Sequence, residues 1–354
     1  MRIPLVSALL ASVSLLAFAA QAAAAQPQLE IEDVDLGATS LAGVFFDLVR
    51  GNDIVVHVQG SPGDLVFWLL STEPPPANPP MIGGVPLAVD PATLVVLLHG
   101  VSNPTAVFSV PITVPTNLAL GETVYTQFAL VDPATSTVRL SNGLELIVVD
   151  AVVFDFEAGL QGWTGDFADY PVGEEAFYEL DWGWSSLPAP FGPALDGFRI
   201  TGNNHSDDLF MFLKRQIGGL APDRDHKLRF EVRFASDVAE DLFGVGGAPG
   251  SGVILLVGST QVEPVKVIEP GVFPMYRMNI DKGPQGGGED VAVVGHIGTP
   301  AGSTGWHLLE HGNLAPFEVA SDSDGMLWLI IGTESGFEGI TLLYYDRVVV
   351  KIFE

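Results

Sequence analysis

The chain of 354 residues contains no cysteine, only 15 Lys and Arg, and no long apolar run after its first 25 residues. Without cysteine there is no disulfide, no thiolate metal site, no Cys nucleophile and no lipid-anchored lipoprotein start. The 15 cations face 43 Asp and Glu, giving a formal net charge of −28. Nucleic-acid binding needs clustered Lys and Arg to displace phosphate counterions, so that class is excluded. Docking on anionic lipid fails for the same reason. The longest later apolar stretch, Ala92 to Leu98, is far below the roughly 20 residues of a membrane span. What the chain does have is 47% hydrophobic residues, 40 Gly and 26 Pro. That is too apolar for a disordered acidic tail and too rich in turn formers for long helices. An acidic all-β protein is expected, with length for one large domain or two ordinary ones.

Residues 1–25 read as an address. One early cation, Arg2, precedes an apolar stretch from Ile3 to about Ala20 and then Gln21-Ala22-Ala23-Ala24-Ala25. This is the pattern of a secretory signal peptide with several A-x-A cleavage sites. The mature protein is therefore expected to be secreted, extracellular or periplasmic.

Composition divides the remainder. Residues 26–150 hold 13 acidic and 2 basic residues and one tryptophan, Trp68, whereas 151–354 hold 30 acidic, 12 basic and five tryptophans. The first part reads as short strands between Pro/Gly turns: Asp53–Val58, Leu65–Leu70, Leu94–Leu98, Thr105–Thr113 and Thr123–Val131. Residues 71–80 (STEPPPANPP) read as an irregular loop, 131–137 as a turn, and Asn142-Gly143 as the turn of a β-hairpin. A small β-sandwich accessory domain is expected over 26–150. Its segment VPTNLALGETVYTQFALVDPATSTVRLSNGLELIV resembles a β-module at the ends of large secreted proteins of environmental bacteria, which implies a surface or matrix role.

The second part is also β. In DHKLRFEVRFAS, Leu228, Phe230, Val232 and Phe234 alternate with Arg229, Glu231 and Arg233, which predicts one face on a core and one in water. Residues 251–258, 326–332 and 344–353 read as further strands. Three segments then carry a resemblance. VVFDFEAGLQGW (152–163), QIGGLAPDRDHKLRFEV (216–232) and the closing YYDRVVVKI resemble, in order, pieces of jelly-roll, galactose-binding-like carbohydrate-binding modules. That resemblance implies two β-sandwich domains with a C-terminal jelly roll over 151–354, and a structural Ca²⁺ where the opening and closing strands meet. GNNHSDDLFMF, MNIDKG and GTESGFEG resemble segments of secreted bacterial proteins.

Candidate sites follow, each with a plainer alternative. Asp155, Glu157 and Asp346 are the candidate calcium ligands, since the ion wants six to eight oxygens; otherwise they are strand-edge carboxylates in water. Tyr178, Trp182 and Trp184 with Glu179 and Asp181 form a candidate sugar site, where rings stack on apolar sugar faces and carboxylates accept from hydroxyls. Trp182 and Trp184, two apart, share one side of an extended segment; the alternative is that these rings pack under the loop. Trp163 is assigned to the core. Asn203, Asn204, His205, Ser206, Asp207 and Asp208 can ligate a polar ligand or cap turns on their own backbone. Asp281-Lys282 and Glu334/Glu338 read as lying in glycine-rich loops with the same ambiguity, and residues 321–325 (SDSDG) read as a turn.

His307-Leu308-Leu309-Glu310-His311 matches H-x-x-E-H, but it lies between Gly305 and Gly312 without room for the helix that zinc ligation needs. Residues 244–252 (GVGGAPGSG) match neither a dinucleotide nor a phosphate loop. The leading expectation is a non-catalytic binder of extracellular carbohydrate or a similar polymer. The alternatives are a structural or adhesive surface protein and a polysaccharide-acting enzyme, which a convergent, buried cluster of carboxylates with His or Lys in a cleft would favour.

Overall fold

The computed structural model describes residues 28–33, 38–39, 45–102, 107–206 and 208–354. The expected signal peptide, residues 1–25, and the candidate Asp207 lie outside the described residues. Regular structure among the described residues is entirely β-strand. The chain divides into two units, residues 1–150 and 151–354.

In the first unit, Ala38–Thr39, Gln28–Asp33, Asp53–Gln59 and Val107–Thr113 form one antiparallel sheet in that order. In the second sheet, Thr123–Asp132 pairs with Leu65–Ser71, which in turn pairs with Val95–Val101. Period-2 alternation brings the sheets together. Ile54, Val56 and Val58 from one strand and Val66 and Trp68 from another meet Ile31, Phe128 and Leu146 in a single core. Trp68 stacks on Phe128 at 5.5 Å, and the unit is a β-sandwich.

Asn142-Gly143 does not turn a hairpin. Thr137–Leu140 and Leu144–Phe154 both pair with Thr123–Asp132, one with each half of it, and the hairpin turn is the 133–136 segment before them. Asn142 instead holds the first strand: its Oδ1 accepts from Leu29 N at 2.7 Å and its Nδ2 donates to Leu29 O at 3.1 Å. Gly143 is required for packing, because a Cβ there would lie 2.2 Å from that of Ala88.

The second unit is a jelly roll. One sheet runs Asp181–Ser186, Asp196–Asn203, Ile340–Phe353, Asp225–Ser236, with His307–Gly312 and Phe317–Ala320 end to end beyond it. The other runs Thr164–Ala168, Phe210–Ile217, Leu327–Ser335, Val253–Thr260, Val291–His296. From Asp196 to Thr260 successive long strands alternate between the sheets. Leu228, Phe230, Val232 and Phe234 point into the space between them, against Leu255, Val257, Leu329 and Ile331.

The opposite face of Asp225–Ser236 was expected in water, and here the structure differs. Arg229 and Lys351 are buried. The Arg229 guanidinium lies 5.0 Å from the Phe353 ring, and Lys351 pairs with Glu231. Long cationic stems cover apolar surface while their heads find a partner, so this face is roofed by its own charges.

Each unit closes its own core. Residues 151–354 expressed alone should therefore unfold in one cooperative calorimetric transition, as single domains of this size commonly do. A molten, non-cooperative product would show that the division is misplaced.

Candidate functional site

The strand Asp181–Ser186 is a border strand of its sheet and, among the described residues, pairs only with Asp196–Asn203. Its two tryptophans share a side, as their spacing requires, but have different environments. Trp182 stacks flat on Phe198, ring centroids 5.5 Å apart and planes 4° from parallel. It lies over Gly165, where a Cβ would stand 2.6 Å from the indole Cγ. Trp182 therefore belongs to the rim of the core. Trp184 is 49% exposed, with its Nε1 donating to Phe156 O at 2.7 Å.

The acceptor is well fixed. Phe156 is fully buried, with φ of 58°, and its N donates to Gln161 Oε1 at 3.2 Å. Asp155 Oδ1 accepts from Gln161 Nε2 at 2.8 Å and from Glu157 N at 3.2 Å, closing the turn. Glu157 Oε1 accepts from Asp196 N at 3.4 Å, and Ser186 Oγ donates to Asp196 Oδ1 at 2.6 Å. Trp184 thus stands as a fixed, half-open indole bordered by Asp155, Glu157, Ser186 and Asp196. The structure joins one ring of the expected sugar platform to two of the expected calcium ligands.

The other platform residues leave the site. Tyr178 is buried, 5.6 Å from Tyr170 between ring centroids. Its aromatic body serves the core rather than a ligand. Asp181 pairs with Arg199, and Glu179 Oε1 accepts from Asn203 Nδ2 at 2.9 Å.

The calcium trio is not assembled either. Asp346 sits at the bulge where Arg233 pairs with Arg347 and Phe234 with Tyr345; it is buried and bonded to Arg233 Nε. Asp155 Oδ1 accepts within the turn, and Glu157 Oε1 accepts from Asp196 N on another strand. Among the described residues no three His, Asp or Glu side chains gather as metal ligands. The residues do not fit the ion, because the one buried carboxylate is already neutralised by a guanidinium.

The polar run after Asn203 folds partly as caps and partly as something the sequence did not disclose. Asn204 is buried and its Nδ2 donates to Ser335 O and Phe337 O, both at 2.9 Å, while its Oδ1 accepts from Ser206 N. His205 stacks on Phe177 at 4.1 Å. Asp208 accepts from Arg277 Nη1 at 2.8 Å, and the same nitrogen donates to Asp169 Oδ1 at 2.8 Å. Lys282 Nζ lies 2.8 Å from Asp169 Oδ2 and 2.5 Å from Glu334 Oε2. Glu334 belongs to the strand Leu327–Ser335 and not to a glycine-rich loop.

The network joins segments distant in sequence through Asp169, Asp208, Arg277, Lys282 and Glu334. Glu269 Oε2 also accepts from Arg277 Nε at 3.2 Å, so four carboxylates share these two cations. Burial is the main cause that pushes the Glu334 carboxyl up to about 8, against the opposing pull of Lys282. Lys282 is raised by Glu334 and Asp169 despite its own burial. Such a cluster of carboxylates and lysine is the arrangement expected to favour an enzyme. Here Glu334, Asp169 and Lys282 are buried, with Lys282 paired to both carboxylates, while Asp208 and Arg277 reach the surface. The cluster fastens the surrounding loops.

The H-x-x-E-H segment is the strand His307–Gly312. Four strand residues span about 13 Å, too far for two histidines to share one zinc. Asp322 Oδ1 accepts from Asp324 N and Met326 N, making SDSDG a turn.

Two outcomes test this assignment. Trp182→Ala should cost about 3–5 kcal/mol of unfolding free energy, as for a packed aromatic; a loss under 1 kcal/mol would place the ring outside the core. The second concerns pH. The folded chain keeps on Glu334 a proton that the unfolded chain releases near 4.5. This contribution is full below about pH 4.5 and is lost as pH rises toward 8. Between pH 5 and 8 the native protein should thus lose about 1–3 kcal/mol relative to Glu334→Gln, whose side chain does not ionise. Parallel denaturation curves for the two proteins would refute it.

No family model matches this chain, and no curated protein sequence matches it. Among solved structures, it is similar to carbohydrate-binding modules from the β-sandwich superfamily, with 10% identity and TM-score 0.32 over 91% of this chain and 96% of that one. It is also similar to a sugar-binding protein, so described provisionally, from Bacteroides thetaiotaomicron VPI-5482, with 12% identity and TM-score 0.26 over 52% of this chain and 86% of that one. A third is the K3 cleaved adhesin domain of Lys-gingipain from Porphyromonas gingivalis w83, with 10% identity and TM-score 0.25 over 56% of this chain and 97% of that one. Likenesses this weak carry no argument about a site, which rests on the geometry above.

Proposed function

We propose that the chain is an exported, non-catalytic binding protein that takes carbohydrate, or a similar hydroxyl-rich polymer, on the Trp184 ledge of its second unit. The observation that carries this reading is the indole itself. It is half exposed while its nitrogen is tied at 2.7 Å to a buried backbone carbonyl. A ring fixed before the ligand arrives loses little entropy on binding. Its flat face suits the C–H face of a pyranose, and Asp155, Glu157 and Asp196 supply acceptors for hydroxyls around it. Export is part of the same proposal and rests on residues 1–25.

A glycan array of the mature protein should identify a ligand, followed by titration calorimetry. Trp184→Ala should weaken that binding by about 1–3 kcal/mol, roughly 10- to 100-fold, with a nearly unchanged melting temperature. Trp184→Phe should retain part of the affinity. Undiminished binding by Trp184→Ala would move the site elsewhere. Absence of any glycan ligand would leave the structural or adhesive reading in its place.

A further inference from the structure

Residues 91–121 contain no Asp, Glu, Lys or Arg, in a chain where such residues make up 16%. At that share about five would be expected in the window. The same window supplies the border strand of both sheets of the first unit: Val95–Val101 beside Leu65–Ser71, and Val107–Thr113 beside Asp53–Gln59. Among the described residues no strand pairs with the outer side of either.

A border strand shows a row of N–H and C=O groups that another extended chain completes. Proteins guard such rows with charge, proline or a bulge. Val107–Thr113 has Pro111. Val95–Val101 has a bulge at His99, where Val66 faces Gly100 and Phe67 faces Leu98, so Val95 to Leu98 remain in regular register with Leu70 to Phe67. That stretch has neither charge nor proline. Val95, Val96 and Leu97 are 45%, 44% and 41% exposed, and because successive side chains alternate, apolar surface is presented on both faces of the strand.

We propose that Val95–Leu98 is a docking edge for the same strand of a second copy of this chain, paired antiparallel about a two-fold axis. Charge selects this occupant. With 13 acidic and 2 basic residues in 26–150, two copies repel at most approaches, and the uncharged window lets them meet without like charges opposed. Antiparallel pairing of identical strands is self-complementary, so one contact closes the assembly as a dimer. Val and Leu opposite one another supply the cross-strand apolar pairs that stabilise sheets.

The test is sedimentation velocity of the mature protein from about 1 to 100 µM, with hydrogen exchange at both ends of the range. A dimer fraction should rise with concentration, and amide protection at residues 95–98 should rise with it, about tenfold. A Val96→Lys/Leu97→Lys variant, which places a charge on each face, should remain monomeric with the native melting transition. A monomer throughout the range would overturn the proposal, as would a dimer whose 95–98 amides exchange equally at both concentrations. A partner other than this chain protecting those amides would also overturn it. If the double variant fails to fold, exchange of the native protein decides alone.

Discussion

The scarcity of cations is the constraint on which the rest of this structure depends. An isolated carboxylate taken out of water costs several kcal/mol, and it is tolerated only when paired and hydrogen-bonded. The chain places several of its few cations beside buried carboxylates. Arg139 meets Asp64, Arg233 meets Asp346, and Arg277 and Lys282 together meet Asp169. Around Asp169 the carboxylates outnumber the cations, and burial pushes the Glu334 carboxyl up to about 8. Such pairs are weak sources of net stability, yet removing one partner strands a charge in the interior.

The ledge depends on the core in a comparable way. Phe156 turns its ring inward, against Trp163 and Phe198, and with φ of 58° its backbone presents its carbonyl to the Trp184 indole. A left-handed residue of that size is held only when its surroundings over-determine it, which the buried ring and the Asp155–Gln161 bonds do. The exposed feature is thereby a consequence of core packing: the same residue that fills the interior aims the ring at solvent.

The alternation in DHKLRFEVRFAS identifies a strand from its own residues, because a half-buried strand writes its environment in period two. The failed zinc motif is legible for the same reason, since glycines on both sides deny it a helix. Other features are invisible along the chain. Asn142-Gly143 has the composition of a hairpin turn, but the register is decided by Leu29 and Ala88, more than 50 residues away. Trp182 and Trp184 are equivalent in spacing and differ only through Phe198 and Gly165. The Lys282–Glu334 contact joins residues 52 apart, and each residue alone looks like an ordinary charge beside glycine. Asp346 is set among the calcium ligands by the resemblance, and its partner Arg233, on another strand, is invisible along the chain.

Charge also separates the two units. In residues 26–150 the two basic residues pair within the first unit, Arg50 with Asp150 and Arg139 with Asp64. Strand edges there cannot be guarded by lysine, the usual device, because none is present in residues 26–150. Two other safeguards take its place: Pro111 on one border strand and the bulge at His99 on the other. Among the described residues, the regular four residues before that bulge carry neither charge nor proline, so neither safeguard acts on them. The second unit, with 12 basic residues in 151–354, roofs its sheet with Arg229 and Lys351 and has cations left to fasten loops. Its buried network follows from that supply.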